Sequence, residues 1–216
     1  MVASLVSKMF HFVLIASKKH NIDDSHGLSH SMNVLQYANK IYDHEIVTCP
    51  SLKNYEKLIY VSAILHDMCD KKYMDEETGL KEINLFLQNE SVLTNNEMIM
   101  SNQIMSTMSY SKVKKYGYPI MGSYQNAYHV VREADLLSAY DFDRCIIYQM
   151  NKNGGNMEEA FNDANNLFDN RVLKHIDDGL FISDYSKKES AILHNLALQR
   201  INSWKQVLNR PAFNKM

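Results

Sequence analysis

A chain of 216 residues, 45% hydrophobic and 22% charged, is long enough to bury one sizeable core and is ordinary in composition for a globular domain. Its formal net charge of −2 provides no general attraction for long nucleic acids, whose binding leans on many phosphate contacts, and no run approaches the roughly 20 apolar residues of a membrane span. Cys49, Cys69 and Cys145 are odd in number and widely scattered, which excludes a paired zinc knuckle and fits a reducing, cytoplasmic setting. A surplus of Asn, and of Lys over Arg, tracks AT-rich coding and hints at a large DNA virus or a parasite, in which case the compartment is the host cytoplasm.

Only 7 Gly and 3 Pro occur, and the apolar pattern runs at helical period almost throughout, so strands have little room to start. The expected fold class is all-α, a single domain over 1–216. Helices are expected over 3–20, 26–44, 52–70, 76–89, 95–108, 122–151, 157–176 and 186–208. In the first, the Met9 to Ala16 run is bounded by Lys8 and by Lys18-Lys19 and reads as a helix face, not a signal peptide. The second opens near Ser25-His26-Gly27-Leu28-Ser29-His30 and carries His30, Val34, Tyr37 and Ile41 on one apolar stripe.

The third is the most apolar and ends in Ile64-Leu65-His66-Asp67. Ile59, Ala63, His66 and Asp70 share one face at 3.6 residues per turn, with Tyr60, Ile64 and Asp67 on the neighbouring stripe. Farther on, Thr94-Asn95-Asn96-Glu97 fits a reciprocal capping box. Met108 to Pro119 reads as a loop interleaving Lys112, Lys114 and Lys115 with Tyr110, Tyr116 and Tyr118. Helix 122–151 places Asp135 on a stripe with Tyr128, Val131, Ala139 and Phe142. Gly154-Gly155, in the loop from Asn151 to Asn156, marks the break between a motif-bearing core, 26–145, and C-terminal helices over 157–208. Ser186-Lys187-Lys188-Glu189 fits a second capping box.

His30, His66, Asp67 and Asp135 thus emerge from the buried sides of three helices, where unpaired polar groups are costly. Two imidazoles and two carboxylates suit one divalent ion, Mn, Co, Ni or Fe, and leave positions open on it, as a catalytic site requires. No histidine occurs between residues 67 and 128, which favours one ion over two. Asp70, at i+4 from His66, is the candidate general base. His26, one turn before His30, could protonate a leaving group or hold a phosphate oxygen. Lys72, Lys112 and Tyr110 are candidates for substrate binding, as phosphate-neutralising and base-stacking groups.

In the order His30, His66-Asp67, Asp135, these residues resemble the HD-domain metal-dependent phosphohydrolases. His26-Gly27-Leu28-Ser29-His30 is similar to that family's His-Asp-x-x-His, His66-Asp67-Met68-Cys69-Asp70-Lys71-Lys72 to its His-Asp-Ile-Gly-Asp-x-Lys, and Arg132-Glu133-Ala134-Asp135 to its Asp-Ala-Asp. The pattern looks most like the small bacterial HD-domain nucleotide pyrophosphohydrolases and spans residues 20 to 205, with specific motifs between 26 and 145. Gly27 stands where the family has Asp, and Leu136-Leu137 where it commonly has Arg-Leu, so substrate contacts at those positions do not carry over. The resemblance implies a helical HD-domain bundle that hydrolyses small nucleotides, most specifically a nucleoside triphosphate to monophosphate and pyrophosphate. Other readings in the class are 5′-nucleotidase, triphosphohydrolase and alarmone hydrolase. From another class comes a catalytically silent nucleotide- or metal-binding module. The implied partners are a small nucleotide and a second copy in a homodimer, with no long nucleic acid and no membrane.

Overall fold

Residues 4–210 are described by a computed structural model, and among them the chain forms ten α-helices joined by short 3-10 turns, with no strand. The all-α expectation holds. None of these helices is long and apolar enough to cross a membrane. Two compact units divide the chain, Met1–Leu136 and Leu137–Met216.

In the first unit, helix α1 (Leu5–His20) begins on Ser4, whose hydroxyl accepts the Ser7 amide, and ends on Asn21 in the left-handed region at φ 53°. The expected start at residue 3 lies outside the described residues. Lys18, Lys19 and His20 occupy the last turn of α1, where the helix dipole favours cations. Its buried side is Met9, Val13 and Ala16. Helix α2 (Leu28–Thr48) buries His30, Val34, Ala38 and Ile41. Tyr37, expected on that stripe, is only half-buried.

The expected helix over 52–70 is three pieces: a 3-10 turn (Pro50–Tyr55), helix α3 (Glu56–Leu65) and a second 3-10 turn (His66–Cys69). Helix α3 packs against α1, α2 and a later helix, α5 (Asn95–Thr107). It is buried on nearly every side, through Leu58, Ile59 and the run Val61 to Leu65. Ser62 and Ser101 share a hydrogen bond of 2.9 Å where α3 meets α5, so the small polar pair satisfies itself.

Helix α4 (Glu76–Asn89) starts on Asp75, whose carboxylate accepts the Thr78 amide. The capping box predicted at Thr94 and Glu97 is present at the start of α5. The segment expected as a loop over 108–119 contains helix α6 (Tyr110–Tyr116), stopped by Gly117 at φ 74°, a conformation a side chain would disfavour. The expected helix over 122–151 is broken. Helix α7 (Gln125–Ser138) and helix α8 (Phe142–Lys152) are separated by Asp141, which caps α8 by accepting the Arg144 amide. Continuity of the apolar stripe through Ala139 and Phe142 concealed that cap.

In the second unit, α8 packs on helix α9 (Met157–Asn170), with Phe142 set edge-on to Phe161 and Phe168 at centroid distances of 5.7 and 4.9 Å. The Asn151 to Asn156 connection therefore lies within this unit, and the division between units falls in the last turn of α7. Helix α9 ends earlier than expected and passes into a 3-10 turn (Val172–Lys174). Helix α10 (Asp184–Leu208) starts on Ser183, three residues before the expected cap, and Ser186 is buried. Asp143 of α8 ties α10 down, accepting from the Arg200 guanidinium and from Trp204 Nε1 at 2.7 Å.

Candidate metal centre

Three elements of the first unit bring the four predicted ligands together: α2 supplies His30, the 3-10 turn after α3 supplies His66 and Asp67, and α7 supplies Asp135. Gly79 on α4 sets the position of that turn. A Cβ there would lie 2.6 Å from Cys69 Cα and 2.8 Å from Cys69 Cβ, so only glycine lets α4 approach. Cys69 is buried against it and its thiol is pushed up to about 12 by burial, then by the nearby Asp67 carboxylate. It is a packing residue and an inert thiol.

One ligating atom each from His30, His66 and Asp135 lies within 4.8 Å of the others. His30 Nε2 and His66 Nε2 are 3.1 Å apart. Asp67 places one carboxylate oxygen 3.1 Å from His30 Nε2 and the other 3.3 Å from His66 Nε2. Asp135 Oδ1 is 3.4 Å from the first ring nitrogen and 3.7 Å from the second. Two ligands each about 2.1 Å from one ion and at right angles would be separated by about 3.0 Å, so these spacings suit adjacent positions around a single cation.

The tautomer is set locally. His66 Nδ1 lies 2.9 Å from the Ala63 carbonyl, which can only accept, so Nδ1 carries a proton and Nε2, facing His30 and the carboxylates, is the nitrogen left to bind a metal. Asp67 Oδ2 is buried without an aligned hydrogen-bond donor. With His30 Nε2 3.1 Å from that oxygen but not aligned on it, the donor set fits a divalent cation between them. Without one, burial pulls His66 down, but Asp67 and then Asp135 outweigh it and hold the imidazole up at about 9. Burial pushes both carboxylates up, yet the two imidazoles keep Asp67 and Asp135 well below the usual carboxylate range.

A cavity of about 70 Å³ opens on this cluster. His66, Asp67 and Asp135 line it together with Asp70, Lys71, Glu76 and Lys112. Asp70 reaches the wall by a different route from the one predicted. The turn after Leu65 is 3-10, in which residues three apart align, so His66 stacks with Cys69, while Asp70 is already extended at φ −68°, ψ 124°. Its carboxylate accepts the Lys72 amide at 2.9 Å. Lys112 is held on the wall by Glu76 at 2.7 Å and by the Ser106 carbonyl at 2.6 Å. Tyr110, at the start of the same helix, is half-buried and does not line the cavity.

Lys72 and His26 come together beside the cavity, with Lys72 Nζ 3.1 Å from His26 Nε2 and 3.4 Å from Asp70 Oδ2. The His26 ring stands edge-on to His30 at 6.1 Å. Sequence reasoning missed Asp23, Ser25 and Tyr73, which surround the other face of His26. Asp23-x-Ser25 was legible as a local turn, but no pattern signals Tyr73. His129 on α7, the first histidine after His66, is 3.1 Å from Gln125 Nε2, and burial, then Arg132, drops it to about 4. It takes no part in the cluster.

No family model and no curated protein matches the chain. A crystal structure from Lactobacillus plantarum, solved as a structural-genomics target, is similar over 95% of this chain and 100% of its own, with a TM-score of 0.63 and 19% identity. At that identity the likeness concerns the fold alone.

Proposed function

We propose that this chain is a metal-dependent phosphohydrolase of small nucleotides, of the HD-domain type its motifs resemble, cleaving a nucleoside triphosphate to monophosphate and pyrophosphate. The observation that carries the reading is the convergence of two imidazole nitrogens and two carboxylates, of which His66, Asp67 and Asp135 line a cavity that also presents Asp70 and Lys112. His30, His66, Asp67 and Asp135 would hold a divalent ion, which would supply Lewis acidity toward a water and a phosphate oxygen. Asp70 accepts a proton from the attacking water. Lys71, Lys72 and Lys112 offset phosphate charge that the surrounding carboxylates would otherwise repel.

The lining bears on which part of the substrate the cavity would meet: Asp70, Lys71 and Lys112 beside the His66, Asp67 and Asp135 cluster suit a phosphate chain. Gly27, where the resembled family has a carboxylate, favours a second reading in which nucleotide binds without turnover.

The deciding experiment is hydrolysis of nucleoside mono-, di- and triphosphates with Mn²⁺ or Co²⁺, products resolved by chromatography, with Asp67→Ala in parallel. Pyrophosphate from triphosphates, lost in the variant, is the expected result. Inorganic phosphate from monophosphates would move the assignment to a 5′-nucleotidase, and no turnover on any of them to the binding reading.

A further inference from the structure

Around His26 the donors and acceptors in contact order the protons. Burial pushes Asp23 up, but hydrogen bonds from His26, Ser25 and Tyr73 hold it well below the usual carboxylate range, so it is an acceptor. Asp23 Oδ2 takes the Tyr73 hydroxyl proton at 2.6 Å. Asp23 Oδ1 takes the Ser25 amide at 2.9 Å and the Ser25 hydroxyl. A hydroxyl has one proton to give, and both of these go to Asp23.

Tyr73 Oη and Ser25 Oγ nevertheless lie 2.9 and 2.7 Å from His26 Nδ1. Neither has a second proton for that nitrogen, so both accept from it and Nδ1 carries the hydrogen. On the opposite edge of the ring the Lys72 ammonium, which can only donate, is 3.1 Å from Nε2. Nε2 therefore offers a lone pair. His26 in this state has no acidic proton facing Lys72, which argues against its serving as the acid for a leaving group.

We propose that Asp23 and Tyr73 are positioning residues that lock His26 as its Nδ1–H tautomer, so that His26 Nε2 anchors the Lys72 ammonium as a preorganised phosphate clamp. The Lys72 side chain, 3.4 Å from Asp70 Oδ2, is 46% exposed, so a substrate phosphate can reach the anchored ammonium. The purpose of the clamp rests on the phosphohydrolase reading; the locked tautomer does not. Tyr73→Phe removes only the hydroxyl, and Asp23→Asn removes the acceptor that orients it.

The test combines two measurements on wild type and both variants. Imidazole nitrogen NMR on the protein loaded with diamagnetic Zn²⁺ reads the His26 tautomer, and steady-state hydrolysis plus titration with inorganic pyrophosphate reads the clamp. Wild type should show His26 as Nδ1–H. Tyr73→Phe should mix the tautomers, raise KM and weaken pyrophosphate binding by roughly 3- to 10-fold, the worth of about one hydrogen bond, and leave kcat within about twofold. A wild-type His26 protonated on Nε2, or a Tyr73→Phe protein unchanged in tautomer and in pyrophosphate affinity, overturns the proposal. Wild type that hydrolyses nothing defeats the phosphohydrolase reading, and the tautomer and pyrophosphate measurements still decide this one.

Discussion

His66 in the first unit and His175 in the second are both withdrawn from solvent, 6% and 0% exposed, yet their surroundings differ in kind. His66 has a carbonyl at Nδ1, and at Nε2 it meets a second imidazole and two carboxylates. His175 sits among aromatic rings, edge-on to Tyr140 at 5.9 Å and to Phe181 at 6.4 Å, with His194 against the same tyrosine at 6.3 Å. Burial is common to both. At the first, ring nitrogens converge with carboxylates, and that is the arrangement by which a buried imidazole can hold a metal, which aromatic packing does not supply.

The largest expected effect breaks the comparison if it fails. Asp67→Ala should weaken metal binding at least about 100-fold, beyond the loss typical of an outer-shell partner, whereas His175→Leu should keep the wild-type metal content. Elemental analysis of protein purified without chelator reads both, and equal metal in the two variants would remove the distinction drawn between the sites.

Gly79→Ala comes next. The added methyl would collide with Cys69 backbone, so the turn bearing His66 and Asp67 must shift. Overpacking of this kind costs about 1–3 kcal/mol. Melting curves with and without Mn²⁺ should show a lower Tm and a smaller metal-induced rise, since metal stabilises in proportion to its affinity for the folded state. A normal metal-induced rise in the variant would show that α4 does not hold the ligand turn in place.

The last effect, read only in metal-free protein, concerns pH. In metal-free protein His66 stands above its ordinary value of 6.5, at about 9, because Asp67 and Asp135 overcome its burial. A raised folded-state value contributes stability in full below pH 6.5 and loses it as pH climbs to about 9. The depressed Asp67 and Asp135 act in the opposite sense at acid pH and leave this window alone. In chelator, Tm should therefore fall between these limits, and His66→Gln should flatten that fall. Metal must displace the same proton, so its affinity should rise over the same window; a pH-independent affinity would place the proton elsewhere.

Much of this was legible in the residues. His30, His66 and Asp135 each interrupt an apolar stripe, which is why they could be named as ligands before any contact was known. Asp70 was named for a sound reason but through the wrong geometry, because the α-period was extended past Leu65 into a 3-10 turn. Asp141 and Ser183 were missed as caps because apolar spacing continues across the first and Ser186 mimics the second. Tyr73 left no trace, since its meaning lies in His26, 47 residues away.

What the sequence by itself determined is the all-α architecture, the approximate helices and the polar side chains that would be buried, since periodicity and caps act within a few residues. Only the tertiary structure decided that His30 and His66, 36 residues apart, aim Nε2 at Nε2. It also decided that Gly79 backs the ligand turn and that Asp23 and Tyr73 govern the ring of His26. Lone pairs and proton positions are set by whichever donors and acceptors packing brings within about 3 Å, and packing is a property of the whole fold.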